Sequence, residues 1–166
     1  VNKNTSIQVP LNPADEIALS SATSTDAQTV CLNSPITSIT YATTNAAGAS
    51  VTGLPTGVSY NLDDTTGVLL LTISGIPIID LGINNYTIST FGLCTPVEIS
   101  GTIEVLPAIS IIHDPVSGPT SQVLCQNTEI EPEIIFSIEN ASNVNVTGLP
   151  DGCNYSVVID PVTGTT

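Results

Sequence analysis

The segment QTVCLNSPITSITYATTNAAGASVTGLPTGVSYNL, beginning at Gln28, returns as QVLCQNTEIEPEIIFSIENASNVNVTGLPDGCNYSV, beginning at Gln122. Cys31 corresponds to Cys125, Asn33 to Asn127 and Tyr41 to Phe136. The run Val51-Thr52-Gly53-Leu54-Pro55 recurs unchanged as Val146-Thr147-Gly148-Leu149-Pro150. The offset is 94 at the cysteines and 95 at the Gly-Leu-Pro run, so one residue is gained between them. A chain of 166 residues organised in this way folds as units of about 95 residues. Each is large enough to bury roughly two-thirds of its unfolded surface and to fold alone.

Each unit reads as β structure. The apolar fraction, 41%, is carried by Ile, Val, Leu and Ala with only 4% aromatic residues, and Thr, Ser, Asn and Gly fill most of the remainder. β-Branched and turn-forming residues suit short strands and bends and disfavour long helices. Strand signals recur at the spacing of an all-β sandwich. The clearest covers residues 97–105, where Val97, Ile99, Gly101, Ile103 and Val105 alternate with Glu98, Ser100, Thr102 and Glu104. That period of two puts one face in a core and the other in water. Further strands are expected near 15–20, 27–32, 38–43, 49–52, 58–62, 68–74 and 85–91. Asp63 to Gly67 reads as a hairpin loop and Gly53 to Gly57 as a tight bend.

The pattern also predicts domain limits. Residues 1–11 resemble the strand at 101–107 and are expected to be the last strand of a preceding repeat. Residues 12–107 form one complete repeat, and 108–166 form a truncated following one. The expectation is a window onto a longer array. Its linkers, Leu11-Asn12-Pro13 and Leu106-Pro107-Ala108, are short and proline-stiffened.

A formal net charge of −14, with Lys3 as the single Lys or Arg, repels polyanions. Nucleic acid and anionic lipid are thereby excluded as direct partners. No apolar run reaches the roughly 18 residues of a membrane-spanning helix, so direct membrane insertion is not expected. Four cysteines allow three pairings. Cys31–Cys94 is favoured, joining an early strand to a late one and leaving Cys125 and Cys153 unpaired. Closing a loop of about 60 residues would stabilise by roughly 3–4 kcal/mol and implies an oxidising compartment. No Cys-x-x-Cys or zinc spacing occurs. His113, the single histidine, reads as an exposed strand or loop residue, and no catalytic residues are assigned. No cofactor is expected; Asp15, Glu16, Asp26 and Asp114, near the domain junctions, read first as solvated surface acids, with calcium ligation the weaker alternative.

The ordered segments Gln28 to Asn33, Ile39 to Tyr41, Val51 to Val58, Gly67 to Pro77, Asn85 to Cys94 and Gly101 to Val105 resemble the tandem repeats of the large gliding-motility surface adhesins of Bacteroidota. The resemblance covers the complete repeat and as much of the next as is present. It implies Ig-like β-sandwiches, export by the type IX secretion system and display as a cell-surface filament. It further implies O-glycosylation at Asp-Thr motifs, which Asp64-Thr65 matches. Departures are Cys153 where the repeat has Val58, and Leu70-Leu71 in a strand that is more often aromatic. The expected role is a structural and adhesive segment, with no enzymatic activity. The expected partners are adjacent repeats, an extracellular surface or polysaccharide, and the secretion and motility machinery. The alternative is an Ig-like spacer in a secreted polysaccharide-degrading enzyme.

Overall fold

The structure, a computed structural model, describes residues 13–64, 68–92 and 95–158. It is all-β, and the chain divides between Leu106 and Pro107 into two units. Among the described residues no helix is long and apolar enough to cross a membrane.

The first unit contains β1 (Glu16–Leu19), β2 (Ala27–Cys31), β3 (Ile39–Thr44), β4 (Gly48–Thr52), β5 (Val58–Asp63), β6 (Leu69–Gly75), β7 (Gly82–Phe91) and β8 (Glu98–Leu106). They form two four-stranded sheets, ordered β1-β3-β6-β5 and β2-β8-β7-β4. All neighbours are antiparallel except β2 and β8, which run parallel from the Ala27–Thr102 pair to the Cys31–Leu106 pair. The expected strands therefore form within a few residues of their predicted limits. The parallel pairing is new.

Alternation supplies the core. Ile39 and Tyr41 of β3, Leu71 and Ile73 of β6 and Val58 of β5 point inward from one sheet. Ala49 of β4, Tyr86 and Ile88 of β7, and Ile103 and Val105 of β8 meet them from the other. Each fully buried Ile or Leu side chain contributes roughly 1.5–3 kcal/mol relative to exposure. The sheets are also joined by a polar contact at their centre, where Tyr41 Oη and Tyr86 Oη lie 2.9 Å apart in a buried site. Gly101 belongs to this arrangement, since a Cβ there would overlap the Tyr86 hydroxyl.

The bend between β4 and β5 carries the chain from one sheet to the other. Gly53 and Gly57 have φ of 82° and 93°, values that side chains with a Cβ rarely adopt. The bend is held from outside by Asp80, whose Oδ2 accepts from Thr56 N at 2.8 Å. Hydrogen bonding by the Thr56 side chain, and secondarily by its N–H, lowers the Asp80 pKa below its usual value.

The chain enters the unit at one pole and leaves at the other. Glu16 pairs with Thr44, and the loop after Thr44 leads to the Gly48–Phe91 pair; Leu106 closes the opposite end beside Cys31. In the second unit β9 (Ser110–His113) pairs antiparallel with β10 (Phe136–Glu139). The remaining described residues of that unit are turns and extended chain.

Candidate functional site

The duplicated polar residues act on the backbone. Gln28 Nε2 donates to the carbonyls of Thr25 (2.8 Å) and Thr37 (3.0 Å), and its Oε1 accepts from Thr37 N at 2.8 Å. Gln122 repeats the reach to the equivalent position, donating to Pro132 O at 3.0 Å. The reciprocal bond is lost there because proline has no N–H. Asn45 Nδ2 donates to Ala14 O at 2.9 Å and Asn140 Nδ2 to Ala108 O at 2.8 Å. Ser21 Oγ accepts from Thr40 N and Ser117 Oγ from Ile135 N, each at 3.1 Å. Asn33 and Asn127 both hold φ of 64°, and Gly148 and Gly152 repeat the positive φ of Gly53 and Gly57. The two units are thus copies of one β scaffold, held by the same clamps.

His113 sits in such a clamp, half-buried rather than exposed. Its Nε2 lies 2.9 Å from Gly118 O and 3.2 Å from Ser117 Oγ, and its ring meets Phe136 edge-on at 5.4 Å. Ser117 Oγ donates to Asp114 O at 2.7 Å while accepting from Ile135 N. To bond the Gly118 carbonyl, Nε2 must carry the proton, and a protonated Nε2 cannot take one from Ser117. The carboxylate of Asp114 is engaged with Val116 N at 2.9 Å. The trio closes a turn and has no charge relay.

The favoured disulfide is not made. Cys31 is a free thiol at the Leu106 pole, and Cys94 lies outside the described residues. Cys31 stands beside Leu106, and from Glu98 to Leu106 the strand extends about 26 Å at ~3.3 Å per residue. A disulfide needs Cα atoms within about 7 Å, and the place of Cys31 along the sheet is something that spacing in sequence does not report. Cys125 (exposed) and Cys153 (half-buried) are also free. The glycosylation candidate Thr65 lies outside the described residues.

The four acids are not one ligand set. Asp15 lies at the entry pole, and the exposed Glu16 accepts a 3.4 Å bond from Thr44 Oγ1. Asp26 is half-buried at mid-sheet, where its main-chain carbonyl accepts from Thr102 N at 2.8 Å and Tyr86 Oη at 3.4 Å. Asp114 is in the second unit. Among the described residues no group of three or more His, Cys, Asp or Glu side chains converges. Asp15 stands apart, being 3% exposed with neither carboxylate oxygen hydrogen-bonded.

A groove of about 1170 Å³ runs along the second unit, walled by apolar residues that include Ile134, Phe136, Ile138, Val146 and Leu149. Phe136, 46% exposed, is the counterpart of the fully buried Tyr41. The groove therefore lies on the face of the scaffold that β6, β7 and β8 cover in the first unit. No known protein family, curated protein or solved structure matches the chain.

Proposed function

We propose that this protein is a stretch of Ig-like repeats from a long, acidic surface filament, with a structural and adhesive role in gliding motility and attachment. The observation that carries the reading is the use made of the duplicated residues. Gln28 and Gln122, and Asn45 and Asn140, all fix the backbone. Duplication that preserves scaffold clamps suits a protein whose useful property is the number of its units. Two four-stranded sheets closed over an aliphatic core suit an Ig-like sandwich. An anionic surface with −14 net charge suits an extracellular fibre that must not adhere to itself. Its partners on this reading are adjacent repeats, an extracellular surface or polysaccharide, and the export and motility machinery, the repeats adding avidity along the fibre.

The test uses antibodies raised against residues 13–106 on intact cells that make the protein. The expected result is labelling along surface filaments, with cells that lack the repeats losing attachment and gliding. Antigen found only in the medium, co-purifying with polysaccharide-degrading activity in one polypeptide, would replace the filament by the enzyme spacer.

A further inference from the structure

Asp15 presents a physical problem that the rest of the fold does not solve. Its side chain is 3% exposed, and neither Oδ1 nor Oδ2 has a hydrogen-bond partner. A buried carboxylate without donors is strongly unfavourable unless a charge or ligand compensates it or it takes up a proton. Among the described residues there is no Lys or Arg. Main chain approaches it. Gly92 lies so close that a Cβ there would stand 3.6 Å from both carboxylate oxygens and 3.1 Å from Ala47 N. Ala47 N is already used, donating to Phe91 O at 2.9 Å.

The repeat supplies an internal control. Asn45 clamps Ala14 and Asn140 clamps Ala108 in the same way, so the residue after each clamped alanine is equivalent: Asp15 in the first unit and Ile109 in the second. The second unit makes the clamp with an apolar residue there. The clamp therefore has no need of an acid, and burying one in the first unit calls for a separate explanation.

We propose that Asp15 anchors a calcium ion at the entry pole of the first unit. Calcium takes hard oxygen donors in flexible, high-coordination geometry, and Asp15 offers two such oxygens that no hydrogen bond uses. A site with one carboxylate belongs with the weak extracellular calcium modules, at dissociation constants of about 10⁻⁴–10⁻³ M. Asp26 lies at mid-sheet and does not contribute.

The experiment is thermal unfolding of the full chain with and without 10 mM CaCl2 at matched ionic strength. It is run on the native protein, Asp15→Asn, Asp15→Ile and Glu16→Gln. The expected result is a calcium-dependent rise of about 5–15 °C in the first unit's transition. Glu16→Gln keeps this rise, and both Asp15 variants lose it. Asp15→Ile places the second unit's own residue at the site, and its calcium-free transition at or above that of the native protein shows that it folds. No calcium response in the native protein overturns the proposal, as does a response that survives in Asp15→Asn. An equal rise with MgCl2 overturns the assignment to calcium.

Discussion

Removing a hydroxyl from the Tyr41–Tyr86 pair tests whether the two sheets are joined by a hydrogen bond in a dry core. The oxygens are 2.9 Å apart and both residues are 0% exposed. Tyr86→Phe leaves the Tyr41 hydroxyl buried without this partner, at a cost of about 1–3 kcal/mol. Tyr41→Phe is milder, about 1 kcal/mol, because Tyr86 Oη keeps its 3.4 Å bond to Asp26 O. Tyr41→Phe/Tyr86→Phe removes both groups and leaves neither orphaned. It is therefore expected to cost less than the sum of the single changes, with a coupling of about 1–2 kcal/mol. For a unit of this size each kcal/mol moves Tm by about 4–8 °C, so urea and thermal unfolding of the full chain by near-UV circular dichroism resolve the cycle. The alkaline limb gives a second readout. Burial, the largest cause, raises both phenols above the ordinary 10.0. Unfolded phenols lose protons first, so this stability is complete below pH 10.0 and is lost as pH rises through the higher folded values. Additive single changes with an unaltered alkaline limb would refute the reasoning.

Gly101→Ala puts a Cβ onto the Tyr86 hydroxyl and should destabilise by about 1–3 kcal/mol, read as a lower urea midpoint. Asp80→Asn removes the carboxylate that accepts from Thr56 N. Because the folded Asp80 pKa is lowered, its contribution is present above the ordinary carboxylate range and lost as pH falls through the folded value. The variant should show a shallower acid-side decline of Tm over roughly pH 5 to 2. A non-reducing peptide map of the air-oxidised chain should contain no Cys31–Cys94 linkage within one molecule; recovering it would contradict the free Cys31 thiol.

The strands were legible because each carries its own evidence. The alternation of Val97, Ile99, Gly101, Ile103 and Val105 is visible without knowing any partner, and β8 forms there with Ile103 and Val105 buried. Pairing was not legible. The parallel contact of β2 with β8 depends on β1 and β2 joining different sheets, and no local pattern reports it. The disulfide misled for the same reason, since two thiols have a sequence separation but no position along a strand. Gln28 and Asn45 have no local pattern that marks them as clamps. Their signal was present all along as identical residues at Gln122 and Asn140. Asp15 was named as one acid among four; its burial depends on Gly92 and Ala47, remote in sequence.

Entry at one pole and exit at the other has a mechanical consequence. Strand β1 runs from the entry pole inward, and β8 runs outward to Leu106 at the exit. Tension applied at Pro13 and Leu106 therefore acts along both strands. Their ladders are loaded in shear, with several hydrogen bonds resisting together, and are not peeled one at a time. Strand β8 is gripped on both sides, by β2 and β7, whereas the four-residue β1 is held at an edge by β3 alone. β1 is therefore the first element to yield and sets the force at which the unit begins to extend.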